Sequence, residues 1–187
     1  MSDFLWELDR VPWSTLRSGS PRGTAGDVPQ LLRALAEADG VDSRKEIRVA
    51  LERELMNPSM LLFEVAPHVV PFLLAILVHA PDVGRKSTAF VLLEQIAQGE
   101  PYVSELAAGN DDLAARVRQE LGEGRAVYYS FLGSSHFPFR SMAVDLLAAL
   151  DGSEPRFQYA LDWLEAHFPD RQTAALVADA RDQLADH

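Results

Sequence analysis

The chain has 187 residues, 48% of them hydrophobic, with 28 acidic and 17 basic side chains and a net charge of −11 at pH 7. That is enough length and apolar content for a buried core. Cysteine is absent, which excludes disulfides and thiolate metal sites, and so acidic a chain lacks the clustered Lys and Arg that nucleic-acid phosphates require. Residues 1–26 carry Trp6 and Trp13 but no full helical unit, and read as an arm that caps the open end of a helical stack. Met1 to Arg10 is polar, with no basic region leading into an apolar run, so no secretory signal is expected. Gly19 to Gly26 is glycine-rich without a following Gly-Lys-Ser/Thr, which makes it a flexible connection and not a phosphate loop.

From Asp27 onward apolar residues recur at helical spacing. Asp27 with Pro29 opens a helix whose apolar face is Leu31, Leu32, Leu35 and Ala36, ending at Asp39-Gly40. Ser43 with Glu46 has the spacing of a capping box for the second helix, which Asn57-Pro58 ends. Val65 to Ala80 is the most apolar stretch. It contains Pro67, His68 and Pro71 and is shorter than the roughly 20 residues of a membrane span, so it reads as a buried helix. Further helices are predicted over Arg85–Gln98, Asp111–Leu121, Ala126–Leu132, Phe139–Leu150, Glu154–His167 and Asp170–Ala185.

These helices repeat. Val28-Pro29-Gln30-Leu31-Leu32 matches Val70-Pro71-Phe72-Leu73-Leu74, so Pro71 follows Pro29 by 42 residues; Arg44-Lys45 matches Arg85-Lys86, 41 residues apart. Further copies begin at Arg140 and Arg171, with an insertion near Pro101 to Asn110. Two helices per period of about 40 to 47 residues is the HEAT signature. The expected fold is all-α, a HEAT-like α-solenoid of about four helical hairpins over residues 27–187, with the capping arm over 1–26. The runs Trp13-Ser14-Thr15-Leu16, Gly26-Asp27-Val28-Pro29 with Leu31-Leu32, and Ala66 to Leu74 resemble the HEAT-repeat proteins common in actinobacteria, over about residues 13–150. The sequence departs from that pattern at Ser59 to Glu64, where Met60, Leu61, Leu62 and Phe63 replace a polar loop. Members of that group are often encoded beside polymorphic toxins, so the resemblance implies an immunity role. It implies no catalytic residues.

The residues offer little chemistry. The histidines (His68, His79, His136, His167 and His187) show no metal-ligand spacing, and His68 and His79 read as core-edge residues. Ser134-Ser135-His136 reads as a turn before a helix, because adjacency in sequence does not build a triad. No catalytic residue, metal or cofactor is expected. Two features point instead to a protein partner. Tyr128, Tyr129, Phe131, His136, Phe137 and Phe139 form a dense aromatic stretch, a composition enriched in interfaces and equally in cores; about half are expected inside. The acidity is also uneven: residues 1–99 hold 10 basic and 13 acidic residues, net −3, and residues 100–187 hold 7 and 15, net −8. Asp145, Asp179 and Asp182 fall on second helices, the concave side of a solenoid, while Asp186 and others extend the acidic set. The partner-binding residues expected are therefore Asp145, Asp179, Asp182, Tyr128, Tyr129, Phe137 and Phe139. They would serve a cytoplasmic, protein-binding module that occludes a basic toxin domain, without membrane or nucleic acid; the alternative is an assembly or regulatory scaffold. Oligomeric state is not legible.

Overall fold

A computed structural model describes residues 3–152 and 154–185; Asp186 of the acidic set and the histidine His187 lie outside the described residues. The fold is all-α. Among the described residues there are ten α-helices and one parallel pair of two-residue strands, and no helix is long and apolar enough to cross a membrane. The chain forms two compact units, Met1–Leu121 and Gly122–His187. This boundary falls inside the stretch 27–187 that the sequence reads as one repeat domain.

The first unit begins with two 3₁₀ segments, Asp3–Arg10 and Trp13–Thr15. Helices α1 (Val28–Glu37), α2 (Val41–Leu55), α3 (Ala66–His79) and α4 (Val83–Gln98) follow. They pack α1 on α2, α3 on α4, α2 on α4 and α1 on α3, so two helical hairpins lie side by side. Strands β1 (Leu61–Leu62) and β2 (Glu100–Pro101) pair parallel beyond the helix ends. A short α5 (Val103–Ala107) and α6 (Leu113–Glu123) close the unit.

Local signals explain most boundaries, and two of the expected ones fail. Gly40, with φ +88°, turns the chain between α1 and α2, a conformation open to glycine at little cost. Helix α2 therefore starts at Val41 with Gly40 as its N-cap. Ser43 is already inside the helix, and the expected capping box does not form. The cap that does form is Asp82, whose carboxylate accepts the Arg85 N–H at 3.0 Å. The sequence register of Pro29 with Pro71 is also one turn out. Pro29 and Pro67 share the first-turn position, where a missing N–H costs nothing, and Pro71 lies inside α3.

The N-terminal arm is part of the core. Leu5, Leu8, Trp13 and Leu16 are buried, Trp13 Nε1 donates to the Leu8 carbonyl at 2.6 Å, and the Trp13 ring meets Phe72 at 5.8 Å. Trp6 seals nothing: it is 59% exposed, with the Arg10 guanidinium 4.2 Å from its ring. Gly19 to Gly26 is no free linker. Residues 16–25 form a strap closed by Ala25 N–H on the Leu16 carbonyl and tied down by Gly19 N–H on the Glu54 carbonyl, each at 3.0 Å. A Cβ on Gly19 would lie 2.2 Å from the Arg53 carbonyl oxygen, so only glycine lets the strap approach α2 this closely. Arg17 of the strap donates to the fully buried carboxylate of Glu105 through Nε at 3.1 Å and Nη2 at 2.9 Å, and Asn110 adds a third bond at 2.8 Å. Burial alone would raise the Glu105 pKa; the bonds from Arg17 and Asn110 outweigh it and hold the carboxyl below its ordinary range.

The second unit repeats the plan with fewer residues. Helices α7 (Arg125–Phe131), α8 (Phe137–Asp151), α9 (Pro155–His167) and α10 (Arg171–Ala185) pack α7 on α8, α9 on α10 and α8 on α10, with α8 also touching α9. The two units share one kind of ion pair between hairpins. Arg44, fourth in α2, reaches the cap Asp82 of α4 at 3.9 Å; Arg140, fourth in α8, reaches Asp170 before α10 at 3.4 Å. Asp170 caps as Asp82 does, accepting the Thr173 N–H at 2.9 Å. The next arginine differs. Arg85 donates to the carbonyls of Ala36 and Ala38 at the end of α1, whereas the matching Thr173 is buried and receives Arg140 Nη2 at 3.1 Å.

Candidate functional site

The expected binding residues separate once placed. Tyr128 is fully buried and Phe139 is 4% exposed. Both belong to the core of the second unit, out of a partner's reach, and burial raises the Tyr128 pKa. Tyr129 is half-buried and its hydroxyl donates to Asp151 Oδ2 at 3.1 Å. Asp151 is 2% exposed and also accepts from Arg125 and Arg156. Burial would raise its pKa, but the two guanidinium groups prevail and lower it. This node joins α7, α8 and α9, so Tyr129 is a brace. Asp145 is half-buried, and burial raises its pKa, which weakens it as a surface charge. Phe137 is half-buried, with the Arg140 guanidinium 5.5 Å from its ring. Asp179 and Asp182 are exposed on α10. Of the expected set, Asp179 and Asp182 are the fully exposed members, and Tyr129, Phe137 and Asp145 are partly accessible. The Met60–Phe63 loop is also engaged: Leu62 is fully buried and Phe63 packs on Tyr102 at 5.2 Å.

A different set of aromatics reaches solvent. Helix α9 buries Phe157, Leu161 and Leu164 on one face and presents Tyr159, Trp163 and His167 on another. Steps of four residues align these three along the helix. Tyr159 is 73% and Trp163 41% exposed. The Trp163 and His167 rings stack at 4.4 Å, which fixes the indole orientation at small conformational cost. The stripe ends at Phe168, edge-on to Trp163 at 5.9 Å and 4.2 Å from the Arg140 guanidinium. Phe168 opens into a hollow of about 330 Å³ lined by Glu165, Pro169, Asp170, Arg171 and Ala174.

The signal for this stripe is in the sequence, as an aromatic period of four offset from the aliphatic one. The denser aromatic run at 128–139 masks it. The electrostatics around it are acidic. Residues 122–187 hold 10 acidic and 5 basic side chains, net −5. Four of the five arginines are committed within the unit: Arg125 and Arg156 to Asp151, Arg140 to Asp170, and Arg181 to Asp162 and Glu165.

The turn Ser134-Ser135-His136 is held by local bonds. Ser134 Oγ accepts the His136 N–H at 3.2 Å and the Ser134 carbonyl accepts Arg140 Nη1 at 2.8 Å, an arrangement that shapes the loop before α8. Among the described residues no three His, Asp or Glu side chains gather where they could hold a metal ion. No family model matches the chain, and neither a curated protein nor a solved structure matches it.

Proposed function

We propose that this chain is a protein-binding helical module whose four hairpins, two in each unit, are HEAT-like repeats, and that it acts in the cytoplasm as an immunity protein, by occlusion and not by catalysis. The observation that carries the binding reading is the exposed stripe of Tyr159 and Trp163 on α9. Aromatics of this size supply most interface energy when desolvated, and a monomer rarely leaves them in a row. The hairpin contacts shared by the two units, and the Arg44–Asp82 and Arg140–Asp170 pairs, support the repeat reading. The immunity reading rests on the resemblance of residues 13–150 and on charge: an acidic surface steers a basic partner toward the stripe, with Asp179 and Asp182 contributing through the field.

The test is co-expression with the product of the neighbouring gene. The expected result is a one-to-one complex in which that protein's activity is lost. Trp163→Ala should weaken the complex by about 2 kcal/mol, close to 30-fold in Kd, chiefly through faster dissociation, while the chain keeps its helical fold with only a modest fall in melting temperature. A complex that leaves the neighbour fully active favours the scaffold reading. A Trp163→Ala chain that melts earlier yet binds normally removes the stripe from the interface.

A further inference from the structure

The first unit contains a cleft of about 380 Å³ between the N-terminal 3₁₀ segment, the first turns of α3, and α6. That volume lies within the range of small-ligand sites. Its apolar surface comes from Val11, Pro71 and Phe72, and its central polar groups are His68, Arg116 and Glu120. Arg10 and Glu7, at the rim, pair with each other at 3.5 Å.

Arg116 and Glu120 stand one turn apart on the same face of α6, the spacing at which opposite charges ordinarily pair. They do not pair here. Arg116 leans back to Asp112, with Nε 3.3 Å from Oδ1 but too poorly aligned to make a hydrogen bond. Glu120 lines the cleft. His68 lies within the field of both. Burial first, and Arg116 second, lower its pKa, so near neutral pH it is an uncharged imidazole with one donor and one acceptor nitrogen. The cleft thus offers a fixed cation and a fixed anion beside an apolar wall, and a ligand can engage both charges without displacing an Arg116–Glu120 pair.

We propose that this cleft binds an apolar dipeptide in its zwitterionic form, with the carboxylate on Arg116, the ammonium on Glu120 and the side chains against Val11, Pro71 and Phe72. Length selects the class of ligand. Arg116 and Glu120 rise from Cβ atoms about 5–6 Å apart and their charges do not meet, Arg116 pairing with Asp112 instead; two extended residues, spanning at most about 7 Å, are long enough to bridge charges held apart in this way. A free amino acid carries both charges on one carbon and reaches only about half that distance. His68 is placed to hydrogen-bond the peptide group between the two ends.

The test is calorimetric titration of the full chain with leucyl-leucine, free leucine, N-acetyl-leucyl-leucine and leucyl-leucine amide. Saturable one-to-one binding of leucyl-leucine is expected, at least tenfold tighter than any of the other three. Glu120→Gln should weaken the free dipeptide about tenfold and leave the N-acetyl form unchanged; Arg116→Gln should do the same with the amide as the insensitive form. Failure of leucyl-leucine to bind at millimolar concentration, equal affinity for the blocked peptides, or equal affinity for free leucine would each overturn the proposal. Circular dichroism checks that the variants fold. The comparison of blocked and free peptides on the unaltered chain decides the matter even if one does not.

Discussion

The two units share a plan and differ in what covers their first helices. In each, a pair of hairpins is joined by an arginine from the first hairpin meeting the cap aspartate of the second: Arg44 with Asp82, and Arg140 with Asp170. In the first unit the N-terminal 3₁₀ segment then packs across α1 and α3, and Trp13 buries itself against Phe72. The corresponding layer of the second unit is α7 and α9, and there Tyr159 and Trp163 stay exposed. The same chain thus shows one first-helix layer covered by its own aromatic arm and one presenting aromatics to solvent. The lesson is that a two-hairpin unit of this size leaves an apolar face to be covered. A partner segment on α9 would do for the second unit what the arm does for the first.

The largest expected effect comes from the core of the second unit. Tyr128→Ala removes a fully buried aromatic and should cost about 3–5 kcal/mol, read as a lower urea midpoint. If the units unfold separately, the loss falls on one of two transitions, and a shared transition shows that they stabilise one another. A Tyr128→Ala chain of unaltered stability and impaired binding would return this residue to the surface.

Next comes the brace that holds the arm. Glu105→Ala strips the strap arginine of its buried partner and should destabilise by about 3 kcal/mol, near the low end for a broken buried pair, because the Arg17 side chain is 40% exposed and regains water. The pH dependence is set by the sign of the shift. The folded-state pKa of Glu105 lies below the unfolded value, so its contribution is complete above the unfolded pKa of about 4.3 and disappears as pH falls through the folded one. Asp151 behaves alike. Acid should therefore weaken both units, through the strap in the first and through the α7–α9 node in the second. Glu54 works in the opposite sense: burial raises its pKa, so the folded state loses stability as pH climbs past the unfolded value. A Glu105→Ala chain whose acid midpoint matches that of the unaltered protein would show that the strap is held by packing alone.

Much of this was legible in the residues. The helical period located nearly every helix, and Asp39-Gly40 marks the turn between α1 and α2 as local chemistry dictates. What could not be read is long-range. The strap looks like a flexible linker because its ties run from Gly19 to Glu54 and from Arg17 to Glu105, across 35 and 88 residues. The aromatics of 128–139 could not be sorted in advance, since Tyr128, Tyr129 and Phe137 share one composition and occupy a core, a brace and a surface. Pro71 misled the repeat register because a proline one turn inside α3 continues the same Val-Pro pattern as Pro29.

The smallest effect on stability, and the sharpest on kinetics, should come from Asp179 and Asp182. Both are exposed on α10, and neither forms an ion pair within 4.0 Å among the described residues; replacing both by Lys should change stability by no more than about 0.5 kcal/mol. The substitutions move the charge of residues 122–187 from −5 to −1. Association with a basic partner should slow accordingly, by about tenfold at low salt, with dissociation little altered, because rim charges act through the encounter. The effect should fade as ionic strength rises toward 0.15 M, where the screening length is about 8 Å. Trp163→Ala should give the reverse pattern, a changed dissociation rate that is insensitive to salt. Stopped-flow association at several salt concentrations separates the two. If the double reversal leaves the low-salt rate unchanged, the partner is not basic, and the second unit captures it through the aromatic stripe alone.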